Sequence, residues 1–250
     1  MSDHVTVEDS GPIRIVRMNR PDKKNALTSS MYGAMAAALA SANGRGDIRC
    51  VVIAGVPGAF SAGNDLAEFA ETAKSGEGLA LPVIDFLHAL ARSEKPLVAA
   101  VQGLAVGVGT TMLLHCDHVV AGTGARFSTP FVSLGLVPEA ASSLLAPRLM
   151  GHRRAFELLV MGRPLDAAAA QACGLVNAVV PPGDVEAEAM KAAQHIAALP
   201  TEAVTASRRL MRGPPDETVA RIDEEVRVFK ERLRSAEART AFDAFFNRKR

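Results

Sequence analysis

KPLVAAVQGLAVGVGTTMLLHCD, residues 95–117, decides how the chain folds. Leu97 to Val101 is a short, unbroken apolar run and reads as a strand buried on both faces. Pro96 stands at its start, where a missing N–H donor is tolerated. GLAVGVG then opens onto a helix through TTMLLHC. A buried strand that turns through glycines into a helix is the unit of a parallel sheet, because parallel neighbours need a crossover connection.

The same unit recurs on either side. Upstream, CVVIAG (50–55) is a second buried strand, followed by a loop, VPGAFSAGND (56–65), in which Asn64 or Asp65 is placed to cap a short helix, LAEFA. VTVED and PIRIVRMN alternate apolar and polar residues and read as strands joined at Ser10-Gly11-Pro12. Thr28 is placed to cap a helix that stops near Asn43-Gly44. LPVIDFLHALARS (81–93) has helical period, and SGEGLALP (75–82) reads as a mobile surface loop. Downstream, DHVVAG and ARFSTP are short strands. Beyond residue 142 the chain reads as helix, interrupted by a strand at LVNAVVP. Ile222, Val226, Phe229 and Leu233 form one helical stripe. The expected architecture is α/β: a core over residues 1–195 and a helical C-terminal region over 196–250, with no linker dividing them.

Composition narrows the function. In 250 residues, 28 Lys and Arg balance 27 Asp and Glu, which argues against a nucleic-acid or membrane-surface binder. No apolar run reaches the ~18 residues of a membrane span. Cys50, Cys116 and Cys173 are scattered, without metal spacing, and fit a reducing, cytoplasmic setting. His115 and His118 flank Cys116-Asp117 with no third ligand nearby, so a structural role is expected for them.

Three local features carry chemistry. FSAGND and GLAVGVGTT each join a buried strand to a helix and so present backbone N–H groups that favour negative charge. Neither matches a P-loop, and GVG at 107–109 lacks the third glycine of a dinucleotide fingerprint. The third is LVPEAASSL (136–144), where Glu139 stands alone among apolar and small residues. Read plainly, Glu139 caps the next helix beside Ser142 and Ser143. Read with the two loops, it is a base beside an oxyanion hole, the apparatus for removing a proton next to a carbonyl.

Those stretches, with NRPDKKNAL (19–27), GHRRAFELLVMGRPLDAAAAQACGLVNAVVP (151–181) and AFFNRKR (244–250), resemble the crotonase superfamily, the enoyl-CoA hydratase/isomerase fold, over nearly the whole chain. The resemblance implies a spiral of βαβ units with a helical C-terminal trimerisation region, an acyl-CoA substrate, no separate cofactor, no metal, and a homotrimer or dimer of trimers. It implies that the N–H groups of Asn64 and Val108 are the oxyanion donors. Val108 departs from the usual glycine, which a backbone donor tolerates. It places coenzyme A and substrate contacts at Ala26, Ser61, Ala62, Gly63, Asp65, Leu66 and Gly107, with Phe245 and Arg248 reaching a neighbouring subunit's coenzyme; by charge, Lys23 and Lys24 suit its anionic nucleotide end. The two glutamates of the family's hydratases fall on Thr111 and Phe131, so neither is present. LGLVPEAASS is similar to the Δ3,Δ2-enoyl-CoA isomerases, in which one acid in this loop is the base, here Glu139. The expected function is therefore an enoyl-CoA isomerase of lipid metabolism. A hydratase or other crotonase-type acyl-CoA enzyme is the alternative, and a non-catalytic acyl-CoA-binding subunit is the reading of another class.

Overall fold

The structure is a computed structural model. It describes residues 3–65, 67–68 and 80–247, the side chains of 245–247 excepted. β1 (Val5–Ser10) and β2 (Ile13–Met18) form an antiparallel hairpin turning at Gly11, whose φ of +57° suits glycine. β3 (Cys50–Ala54), β5 (Leu97–Val101), β7 (His118–Gly122) and β10 (Ala178–Val180) then add in parallel, giving a six-stranded sheet ordered β1-β2-β3-β5-β7-β10.

The period-two alternation of a strand sorts these residues onto two faces. Val51, Ile53, Leu97, Ala99 and Val101 face the large core, which also holds Met31, Met35 and Leu39 of the helix Ser29–Asn43 and Phe86, Leu87 and Leu90 of the helix Leu81–Ala91. Val52, Ala54, Val98 and Ala100 face the other way. They meet Val185, Ala189, Ala193 and Ala197, a stripe of four-residue spacing on the helix Val185–Ala198. Both faces of β3 and β5 are thus covered, which is why their sequences carry no polar alternation.

A second sheet was not legible in the sequence. β4 (Ala59–Ser61), β6 (Leu104–Val106) and β8 (Arg126–Ser128) pair in parallel, and β9 (Leu165–Asp166) joins β8 antiparallel. β4 lies inside the expected VPGAFSAGND loop, and β6 inside GLAVGVG. Three successive passes of the chain each give one strand to each sheet: β3 then β4, β5 then β6, β7 then β8. This is the expected spiral. Each pass turns sharply, and where β5 hands over to β6, Gly103 has φ +66° and would drive a Cβ to 2.1 Å from Gly58 O. Only a residue without Cβ fits there.

From Ser142 onward the described chain is mainly helical, as expected, with Ile222, Phe229 and Leu233 buried on one stripe of the helix Asp216–Leu233. Ala80 precedes the helix Leu81–Ala91, so Leu81 and Pro82 are its first turn and do not belong to the expected surface loop. The rest of that loop, 75–79, lies outside the described residues. No described helix is long and apolar enough to cross a membrane.

Glu225 of the helix Asp216–Leu233 reaches back to the start of the helical segment Ser142–Leu159, which is broken at Gly151 (φ +76°). It accepts hydrogen bonds from Ala141 N (2.6 Å), Ser143 N (3.0 Å) and Ser143 Oγ (2.5 Å). The same contacts hold Ala140 and Ala141, two buried non-glycine residues at φ +59° and +54°. Such a pair persists only where the surroundings enforce it. Glu225→Ala leaves buried N–H groups without acceptors and is expected to lower stability by roughly 2–3 kcal/mol. A denaturant titration of wild type and variant checks this.

Candidate active site

The two sheets explain why the two glycine loops converge. β4 and β6 are parallel neighbours, with Ser61 paired to Ala105. Three residues beyond each lie Asn64 and Val108, so the pairing brings together the two loops that carry them. The contact is close: a Cβ on Gly63 would lie 2.8 Å from Val106 O, and one on Gly109 would lie 3.0 Å from Ser61 O. Gly63 has φ +85° and Gly107 +55°. Val108 opens a helical turn, Val108–Thr111, where the first N–H groups have no partner within the helix. Among the described residues, neither Asn64 N nor Val108 N donates a hydrogen bond. Val108 is buried and packs into the main core; its side chain replaces the usual glycine without blocking the turn.

Glu139 reaches the same turn. Thr111 Oγ1 donates to Glu139 Oε1 at 2.5 Å, one helical turn beyond Val108. The residue at a hydratase glutamate's position thus supports the acid that is present. Glu139 is 4% exposed. Burial pushes its pKa up from 4.5 to about 8; the Thr111 hydrogen bond pulls against this, and the Glu225 charge adds to it. The plain capping reading is set aside by geometry, because Glu225 caps the helix Ser142–Leu159 and the Glu139 carboxylate points elsewhere. His115, also buried, sits against the same loop with Nε2 2.8 Å from Ala140 O. Burial lowers its pKa to about 4, so it is neutral and its Nε2–H donates. That is a structural task, as expected of it.

Tyr32 was missed in the sequence. Its hydroxyl donates a short hydrogen bond to Asn64 Oδ1. Burial, then the charges of Glu139 and Glu68, raise its pKa well above the ordinary value. Tyr32 therefore touches the first donor loop and lies within electrostatic reach of the acid. Nothing in the local pattern of MYGAMAAALASA marks it, since it looks like one more core residue.

A cavity of about 820 Å³ leads to this cluster. Lys23, Lys24 and Ala26 line it at one part, and Ala62, Gly63, Asn64, Asp65 and Gly107 line it near the donors. Phe131, Leu136 and Phe229 give it apolar walls. Among the described residues, Val108 and Glu139 are not part of its lining. Ser61 is also outside it: fully buried, it donates to Asn25 O and accepts from Gly63 N, so it shapes the loop and does not face a ligand. Asp65 is on the wall, yet its carboxylate is occupied by Arg20 at 2.6 Å and by the Ala67 and Glu68 N–H groups, the capping task expected of it. Glu68 accepts from Ser29 N at 3.0 Å, so it caps the helix Ser29–Asn43 beside Thr28. Leu66, Arg248 and the side chain of Phe245 lie outside the described residues.

The first loop and the donor loop are laced together. Ala62 N donates to Lys24 O, Leu27 N to Gly63 O, and Asp65 N to Leu27 O. The buried Asn25 amide donates to Ala59 O and Phe60 O.

Residues 8–250 match the model of the enoyl-CoA hydratase/isomerase family. The chain belongs to that family. Pseudomonas aeruginosa OdaA superposes with a TM-score of 0.92 at 43% identity, over 98% of this chain and 99% of that one. Rattus norvegicus enoyl-CoA delta isomerase 2 is 36% identical over 99% of this chain. The chain spans 64% of that relative, just under two thirds of its length. A probable enoyl-CoA hydratase of Rhizobium meliloti is 34% identical over 76% of this chain and 74% of its own length. In this member of the enoyl-CoA hydratase/isomerase family, Thr111 pairs with the buried Glu139 at the turn that Val108 opens.

Proposed function

We propose that the protein is a Δ3,Δ2-enoyl-CoA isomerase working with one acid. The observation that carries this reading is the buried Glu139, hydrogen-bonded to Thr111 one turn from the Val108 N–H. The Glu139 carboxylate takes a proton from C2 of a 3-enoyl thioester. The C2–H electron pair moves into a C1–C2 double bond, and the thioester oxygen becomes an enolate held by the Asn64 and Val108 N–H groups. The protonated Glu139 then delivers that proton to C4, the C3–C4 double bond moves to C2–C3, and the thioester carbonyl re-forms. A pKa near 8 suits a group that must both take and return a proton near neutral pH. Lys23 and Lys24 meet the anionic nucleotide end of coenzyme A. No further cofactor is proposed, because every step is a proton transfer that these residues supply.

Hydration needs a second group to activate water. Thr111 and Phe131 offer none, so the hydratase reading is the weaker one, although the Rhizobium meliloti relative bears that name. Trans-3-hexenoyl-CoA should gain the absorbance of a conjugated enoyl thioester, and crotonyl-CoA should keep it. Binding of acyl-CoA with turnover of neither would support the non-catalytic reading instead. We also propose assembly as a homotrimer or dimer of trimers in the cytoplasm. Leu210 and Met211, 85% and 87% exposed on the helix Thr201–Arg212, favour a covered surface in the assembly. Sedimentation of the purified chain decides between monomer, trimer and hexamer.

Removing the C2 proton needs the carboxylate form. Activity as kcat/KM should therefore rise with pH and level off above about 8, the value to which burial raises Glu139. Thr111→Val removes the hydrogen bond that favours the charged form, so its profile should move to higher pH. Rate profiles of both proteins check the direction.

A further inference from the structure

A second cavity, of about 410 Å³, shares no lining residue with the acyl-CoA cavity. It lies along the helix Thr201–Arg212, where Thr205, Arg208, Arg209 and Arg212 follow the spacing i, i+3, i+4, i+7 and so occupy one face. Arg92 and Thr218 line it from other elements. The lining carries four guanidinium groups against one carboxylate, Glu94.

Two of those arginines are incompletely satisfied. Arg208 donates from Nε to Asp117 Oδ2 at 2.8 Å and from one terminal nitrogen to Ser93 O at 2.5 Å. Its other terminal nitrogen is buried without a partner, and so is one terminal nitrogen of Arg212. Asp117 Oδ2 also accepts from Leu97 N, and the charge of Asp117 offsets only part of the burial of Arg212. Buried guanidinium donors without acceptors are costly, and two like charges side by side add to the cost. Burial, then the charge of Arg208, hold Arg212 below its ordinary pKa. An oxyanion in the cavity offsets the crowded positive charge, and guanidinium forks match the geometry of phosphate.

We propose that this cavity is an anion site, separate from the acyl-CoA site, that takes phosphate or the phosphoryl group of a small ligand between Arg208 and Arg212. The Thr205 and Thr218 hydroxyls add neutral donors, and Pro214 and Pro215 form a stiff part of the lining. The surplus volume beyond one phosphate accommodates the body of a phosphorylated compound.

The test is a titration of the full chain with inorganic phosphate, with pyrophosphate and with citrate, at ionic strength matched by sodium chloride. Calorimetry and melting temperature are the readouts. Phosphate or pyrophosphate should raise the melting temperature beyond the chloride control. Arg212→Met should weaken phosphate binding roughly tenfold or more, as loss of a charge-assisted donor does. It should leave isomerase turnover unchanged. Should Arg212→Met fail to fold, Arg209→Met, at an exposed position on the same face, should weaken the response several-fold. A response equal to that of chloride overturns the proposal. So does one retained in full by the variant, which would place the ion at Lys23 and Lys24. A response to citrate alone overturns the phosphoryl assignment.

Discussion

Glu139→Gln should abolish isomerisation, lowering kcat by roughly 10³- to 10⁴-fold, the upper range for loss of a proton-transferring group. Glutamine keeps the shape and still accepts from Thr111 Oγ1, so the loop geometry and coenzyme A affinity should survive. The same variant has a signature in stability. In the folded protein Glu139 titrates at about 8, and unfolded near 4.5. Below the lower value both states are protonated and the burial is fully tolerated. Between the two values the unfolded chain releases a proton that the folded one keeps, so stability falls as pH rises through this window. Glu139→Gln removes that loss. Its melting temperature should therefore gain on wild type from about pH 5 to about pH 8, and the gain should then level off. Turnover equal to wild type would remove Glu139 from the mechanism, and a melting difference independent of pH would remove its raised pKa.

Gly63→Ala is expected to be the next most damaging change. The position has φ +85°, and the new Cβ would meet Val106 O at 2.8 Å, a backbone atom of the strand that leads to the second donor. The chain must shift one loop or the other, and Asn64 N–H moves with it. Loss of one oxyanion donor costs about 10²- to 10³-fold in kcat in other enzymes. The pH midpoint of activity should stay where it is, because Glu139 is untouched. That separates a displaced donor from a displaced base. A fall of less than about fivefold in a folded Gly63→Ala protein would mean that Asn64 N–H is not where the enolate forms.

Both predictions rest on positions that the sequence made visible. Glycines between a buried strand and a helix announce free N–H groups, and a carboxylate in apolar surroundings announces a raised pKa. What stayed hidden has a common physical character. β4 and β6 are three residues long, too short to show a period, and exist because they pair with each other and with β8, the short strand that ARFSTP did announce. Glu225 caps a helix that starts far upstream of it, and Tyr32 finds Asn64 across the core. Asn25 in NRPDKKNAL looks like one more polar loop residue, yet it is fully buried and holds two carbonyls of another loop. Such contacts leave no local signature, because each partner satisfies a requirement set elsewhere in the chain. The principal sheet and the helical layers were legible because each is encoded within a single window of residues.

The lacing of the Lys24–Leu27 segment to the Ala62–Asp65 segment makes the site a measuring gauge. On the proposed reading, both ends of a bound thioester carrier are referred to one hydrogen-bonded strip of backbone, so the span from its charged nucleotide to its reacting carbonyl is set before anything binds. Carriers of another length meet one mark or the other, never both, and acyl groups on simple thiols should be poor substrates however well their chains fit.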